Sequence, residues 1–322
     1  MAFAAGYLGG ELYIYIYRKK TGIYFKPSMR HFDWELSRKL LRYGLPMSVW
    51  IISFQLLFLA NRLIISSMRS NKEVGIYASS YDLINGSLSL MMTPFLLASH
   101  PIIMQLWAQA HERTEIEQLI KRVLRYLLLL CIPIFIFSLV VNEELLAFVL
   151  GQGFGIEGWI VPVLVAGVIC SGFSMYAHKG LEIAERTKVM LGVAVITVCL
   201  NIVLNLIFIK RFGYPAAAIM ALFSYLFYMF VVYRFSRRYL RLRFSLKSCF
   251  RIAIASGISG VCLWIVKQYT RDALTSSAFS IIVTILLFGC VYLLILNISG
   301  ELSTEIKKLL KIIKRYRSSQ VI

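Results

Sequence analysis

Nine blocks of continuous apolar sequence decide what this chain can become. They lie near residues 2–17, 43–66, 74–106, 123–141, 158–178, 189–209, 213–233, 252–267 and 276–298. The apolar residues fill each block rather than marking one stripe, and a helix apolar all round is buried in protein or in lipid. About 20 such residues cross the hydrocarbon core of a bilayer. Only 16% of the 322 residues are charged and 59% are hydrophobic, whereas a soluble domain carries roughly 25% charged residues. No gap between blocks holds enough sequence for a soluble domain. The expected fold is therefore an all-α integral membrane protein of about nine transmembrane helices.

A formal net charge of +19 suggests nucleic acid until the charges are placed. Of the 35 Lys and Arg residues, 28 fall in segments 18–42, 109–125, 179–188, 234–251 and 304–317. Six fall in the alternate segments, and one, Arg62, lies inside a span. Heavy and light segments alternate strictly with the nine blocks. Lys and Arg concentrate in cytoplasmic loops, so the heavy side is expected to be cytoplasmic, the C-terminus with it. The basic charge is topology, and no nucleic-acid partner is expected. Nine spans then put Met1 outside, although it opens directly on an apolar run with neither the charged start nor the cleavage site of a signal peptide. The sequence reads as beginning within a membrane protein: either it is a fragment of a longer protein, or a partner supplies further helices.

The six cysteines form no C-x-x-C pair, and all but Cys249 fall in apolar spans. His31, His100, His111 and His178 are scattered without metal-ligand spacing, and no nucleophile elbow or phosphate loop is present. No metal, cofactor or enzymatic activity is expected. The glycines at 151, 153 and 155 read as a tight turn.

Polar residues inside the spans carry the remaining information, since a charged side chain at the bilayer centre costs about 2.5–3.5 kcal/mol on insertion scales. Arg62 and Asp82 lie at similar depth in consecutive spans. They either pair with each other, or Arg62 snorkels to the interface, or Arg62 faces a hydrated cavity and meets an anionic head group. Asn201 and Asn205 stand one turn apart, placed for helix–helix hydrogen bonding or for lining a cavity. Glu182 and Arg186 have the spacing of a local salt bridge. Pro94, Pro101, Pro133 and Pro162 each invite a kink.

The stretch "LLRYGLPMSVW…LFLANRLIISS…EVGIYASSYDL" resembles the opening of the second lobe in polysaccharide and O-antigen flippases of the multidrug/oligosaccharidyl-lipid/polysaccharide exporter (MOP) superfamily. The marks are Gly44 and Pro46 at a helix start, Val74-Gly75-x-Tyr77, Pro94, Gly151, the Asn201/Asn205 helix, and Gly213 with Ala216 and Ala217. The resemblance covers roughly residues 1–238. Asn61 stands where the family usually has an acidic residue before Arg62, and Pro215 where glycine is common.

That resemblance implies the last helix of a first lobe and a loop (1–42), a six-helix second lobe (43–238), two added helices (239–299) and a basic tail (300–322). It implies a flippase in the cell membrane, moving an undecaprenyl-diphosphate-linked oligosaccharide by alternating access for lipopolysaccharide or other surface polysaccharide. Arg62, Asn61, Asp82, Asn201 and Asn205 are the candidate substrate-binding residues. A first lobe and glycan-assembly proteins are the implied partners. A drug or metabolite antiporter of the same superfamily, a membrane glycan polymerase or ligase, and a non-transporting fragment stay open. Residues 302–317, with apolar Ile306, Leu309, Leu310, Ile312 and Ile313 among six basic residues, are expected to lie on the membrane surface as a helix attracted to anionic lipid.

Overall fold

The structure, a computed structural model, describes residues 33–109, 113–145, 158–269 and 278–301. The expected span at 2–17, the glycine turn at 151–155 and the surface helix at 302–317 lie outside the described residues. Within them the chain is helical, without strands. Eight helices are long and apolar enough to cross a membrane. They are α1 (Trp34–Met68), α2 (Asn71–Ala108), α3 (Arg113–Val140), α4 (Ile160–Ala177), α6 (Thr187–Phe212), α7 (Tyr214–Ser236), α8 (Leu246–Tyr269) and α9 (Ala278–Ile298). A five-residue helix, α5 (Lys179–Ile183), joins α4 to α6. The all-α, multi-pass fold expected from the apolar blocks is the fold observed.

The chain divides into two units, Met1–Leu45 and Pro46–Ile322. In the first, Asp33 Oδ1 accepts the backbone N–H groups of Glu35 and Leu36 at 2.9 and 3.1 Å. That cap satisfies donors a helix start leaves open, so α1 begins inside the basic segment expected to be a loop, and Pro46 lies within α1 rather than at its start. Pro94, Pro101 and Pro133 are also helix-interior. Pro162 is not: it is the third residue of α4, where its missing N–H would have had no partner anyway.

In the second unit α4 and α7 pack side by side, with Ala216, Ala217, Ala218 and Ala221 buried along α7. Small residues let helix backbones approach where lipid gives no hydrophobic drive to associate. Ile64, Ile65, Tyr77, Ile84 and Leu88 of α1 and α2 close one core against Leu164 and Val168 of α4. A second core joins Ile116, Ile120, Leu124 and Leu127 of α3 to Ile103 of α2 and Tyr176 of α4. Large apolar side chains such as Leu59, Leu63, Ile207 and Phe230 point outward instead, as lipid-facing surfaces require.

The turn between α6 and α7 depends on Gly213, whose φ of +70° is reached without strain only by glycine. Glu73 of α2 accepts the Tyr214 N–H there at 3.1 Å. Helices α8 and α9 pack beside α3 through Ile252, Ala255, Phe288 and Tyr292. Ion pairs fasten this arrangement near the middle of α3 and just past its C-terminal end. Arg125 and Arg251 meet Glu301 at 2.8 and 3.4 Å, and Lys267 meets Glu144 at 2.6 Å.

Candidate functional site

One face of α1 carries Trp50, Phe54, Phe58 and Arg62, each four residues from the next. Residues four apart are neighbours on a helix surface, and here they make one continuous file. Trp50 and Phe54 meet edge to face at 5.4 Å between centroids, and the Arg62 guanidinium sits 3.9 Å over the Phe58 ring. Trp50, Phe54 and Phe58 line a cavity of about 430 Å³ bounded by α1, α2, α4 and α7. Across from them stand Tyr81 and Asn85 of α2, Ser171 of α4 and Tyr225 of α7. Phe58 and Tyr81 are 4.3 Å apart, Phe54 and Tyr225 stack at 6.1 Å, and the two tyrosine hydroxyls are 3.3 Å apart.

Arg62 and Asp82, which the sequence places at similar depth, are bonded. Arg62 Nη2 donates to both Asp82 oxygens, at 2.7 and 2.8 Å. Asp82 lines the cavity, its side chain 60% exposed against 28% for Arg62. Only Nη2 is used in this contact; Nε is buried without a hydrogen-bond partner.

The asparagines form a separate, buried network. Asn205 Nδ2 donates to Asn61 Oδ1 and Asn201 Oδ1 at 2.7 and 2.9 Å. Asn61 donates to the Tyr77 hydroxyl at 3.0 Å, and Asn201 to the Ser224 hydroxyl at 3.1 Å. All three asparagines are buried. They tie α1, α2, α6 and α7 together, and they do not line the cavity that Asp82 lines.

Two groups escaped the sequence reading. The aromatic file follows an i, i+4 series in the sequence, which the general hydrophobicity of the span masks. The other is a charge cluster in which Lys179 and Glu182 are buried and His100 is half-buried. Lys179 Nζ lies 2.9 Å from His100 Nδ1 and 2.5 Å from Glu182 Oε2, while His100 Nδ1 is 3.6 Å from Glu182 Oε1. Beside it, His178 contacts the Tyr228 hydroxyl at 3.3 Å, which accepts from Trp50 Nε1 at 2.7 Å. The expected Glu182–Arg186 bridge gives way to this cluster. Helix α5 ends at Ile183, and Glu185 has φ of 56°, so the i, i+4 geometry is broken and Arg186 is exposed.

Comparison with known proteins follows the same line. The family described as polysaccharide biosynthesis protein matches residues 2–155. The probable low-salt glycan biosynthesis flippase Agl15 of Haloferax volcanii is 29% identical over 119 residues, 37% of this chain and 25% of that protein. In fold, the inward closed conformation of the lipid II flippase MurJ matches with a TM-score of 0.64 at 16% identity, covering 89% of this chain and 59% of that one. A MOP superfamily transporter from Pyrococcus furiosus matches with a TM-score of 0.53 at 21% identity, covering 81% of this chain and 62% of that one. The chain thus spans a quarter of the curated relative and about three fifths of the solved structures. The resemblance read from the sequence stands: the chain carries the polysaccharide biosynthesis pattern in residues 2–155 and the fold of MOP-superfamily transporters over most of its length.

Proposed function

We propose that this chain forms one lobe of a flippase that moves a lipid-diphosphate-linked oligosaccharide across the cell membrane by alternating access. The observation that carries the reading is the Arg62–Asp82 pair on a cavity among apolar spans. Ionisable groups at membrane depth are expensive and mark substrate pathways. A diphosphate-sugar head cannot cross hydrocarbon unaided; this cavity offers it a carboxylate, amides and hydroxyls, and Arg62 brings a cation to that carboxylate. Asp82 engages Nη2 of Arg62, and a diphosphate would compete with Asp82 for this guanidinium.

On this reading residues 43–238 are the transporter lobe, 239–299 are two added helices, and a first lobe completes the substrate path. Asn61, Asn201 and Asn205 support the site from behind by fixing α1 against α6. The basic loops and C-terminus face the cytoplasm, with the tail on anionic lipid. Transport, not catalysis, is the role, and an O-antigen or other surface glycan is the cargo. The antiporter alternative needs a titratable carboxylate in the cavity, and Asp82 is engaged by Arg62 instead.

Transport in proteoliposomes tests this. A fluorescent lipid-linked oligosaccharide is quenched by an external lectin, with the chain reconstituted alone and together with a first lobe. Quenching that runs to completion in the two-lobe vesicles supports the proposal. Quenching no deeper than in protein-free vesicles in both preparations overturns it.

A further inference from the structure

A second cavity, of about 460 Å³, opens where the C-terminal end of α3 meets the C-terminal half of α8. Its lining changes along the two helices. Ile136, Gly257 and Gly260 come first, and Asn142, Glu143 and Lys267 follow about two turns later. We infer that this cavity holds one membrane lipid whose head group carries a primary ammonium beside its phosphate, as phosphatidylethanolamine does. The inference needs only that the helices span a bilayer, and it stands apart from the transport reading.

Three observations carry it. First, the charged end is short of a cation. Lys267 Nζ is held by Glu144 Oε1 at 2.6 Å and by the Val140 carbonyl at 2.9 Å. Glu143 is exposed, and among the described residues no cation pairs with it. On the neighbouring residue, Glu144 Oε2 is buried without a hydrogen-bond partner. A buried acceptor left without a donor is costly, and a primary ammonium brings three donors. Second, the same end keeps donors for a phosphate. Lys267 has one N–H beyond its two contacts. Asn142 Oδ1 accepts the Glu143 backbone N–H at 2.7 Å, which leaves the Asn142 NH2 group to donate. Third, the apolar end is a notch fit for an acyl chain. A Cβ at Gly260 would fall 2.6 Å from Ile136 Cγ2, whereas one at Gly257 would meet nothing within 4 Å. The helices therefore touch at Gly260 and leave open space one turn away. Trp264 is exposed between the notch and Lys267, and tryptophan favours the membrane–water interface, which sets the charged end at head-group level.

An anionic lipid is the rival occupant, since basic pockets between membrane helices bind such head groups. Here Glu144 already neutralises the cation and the spare charge, on Glu143, is negative, so an anionic head group is repelled. A quaternary ammonium brings the charge but no N–H for either carboxylate.

The test counts lipid bound to the purified chain in detergent by native mass spectrometry. Phosphatidylethanolamine, phosphatidylcholine and phosphatidylglycerol with the same acyl chains are the probes. The native chain should take up one phosphatidylethanolamine about tenfold more tightly than either other lipid. Glu143→Gln should remove most of its advantage over phosphatidylcholine and should raise phosphatidylglycerol binding. Gly257→Leu should weaken phosphatidylethanolamine and phosphatidylcholine together, because it fills the notch without changing a charge. Both positions have room, so both variants should keep the native melting temperature before lipid is added. Equal uptake of the three lipids would be an unselective lipid coat and overturns the inference. Tighter binding of phosphatidylglycerol overturns it by assigning the cavity to anionic lipid. A phosphatidylethanolamine preference that neither variant alters places the site elsewhere on the chain and overturns it as well.

Discussion

Lys179 and Glu182 form an ion pair inside the protein, one turn apart on a five-residue helix, with 3% and 5% of their side chains exposed. Breaking a buried pair from one side leaves a charge without compensation, at a cost of about 3–5 kcal/mol. Glu182→Gln should therefore lower folded protein in the membrane sharply, measured by size-exclusion chromatography after detergent extraction. Lys179→Met combined with Glu182→Leu should restore most of it, because no unpaired charge remains. A single variant with native yield and melting temperature would show that the pair does not hold α5 in place.

Arg62 and Asp82 call for the opposite expectation, because their pair opens on the cavity. Pairs in contact with water contribute about 0–1 kcal/mol. Arg62→Ala should abolish glycan export at near-native protein abundance, and Arg62→Lys should retain part of it, since a point charge still attracts phosphate without the planar fork. Asp82→Asn should leave abundance unchanged. Matching losses of abundance in Arg62→Ala and Asp82→Asn, with recovery in the double variant, would make the pair structural.

Asn205 bonds Asn61 and Asn201 from one amide nitrogen, while its own Oδ1 is buried without a hydrogen-bond partner. Asn205→Ala strands two acceptors. Leaving a buried acceptor unsatisfied costs about 1–3 kcal/mol, although polar contacts between membrane helices average nearer 0.6 kcal/mol. The melting temperature in detergent should fall by a few degrees, and a double-mutant cycle with Asn61→Ala should show strong coupling. Simple additivity would mean that the network is not cooperative.

Glu301 sets a pH dependence for the docking of α8 and α9. Burial alone would raise its carboxyl pKa, but the Ser248 hydroxyl and the Arg125 and Arg251 guanidinium groups outweigh burial and hold it below the usual carboxylate range. A depressed carboxyl contributes stability that is complete above its unfolded pKa of about 4.3. That contribution is lost as pH falls through the folded value. Glu301→Gln should thus be less stable than the native chain at pH 7, and the gap should narrow as pH falls below about 4.3. A gap of constant size across that range would contradict the assignment.

Orientation can be read by an impermeant thiol reagent on intact cells carrying the protein in a background without native cysteines. Cysteines placed at Ser70 and Gln152 should react, and one at Glu115 should not. Reaction at Glu115 would invert the topology.

Span count and order were legible because lipid imposes one rule on every residue of a block, and eight of the nine blocks reappear as helices. Helix ends were less so: α1 begins at Asp33 because of a side-chain cap, a local detail hidden among basic residues. Similar depth in consecutive spans made the Arg62–Asp82 pairing one of three open readings, and only the contact of Nη2 with both carboxylate oxygens decides for it. Asn201 and Asn205 announced a shared face but not their partners, because Asn61 and Ser224 come from helices whose adjacency only the packing of small residues on α7 decides. The cluster at Lys179 was hidden for the same reason, as His100 reaches it from α2, and the break at Glu185 removed the Arg186 spacing that looked obvious.

The file from Trp50 to Arg62 has a geometric consequence of its own. A helix advances about 100° and 1.5 Å per residue, so steps of four residues overshoot a full rotation by about 40° each. Across its three steps the file rises about 18 Å and winds through roughly a third of a circle. Along it Trp50 is buried, and Phe54, Phe58 and Arg62 are half-buried. On the flippase reading proposed above, a cargo with rotatable linkages follows that winding and a rigid, straight one does not.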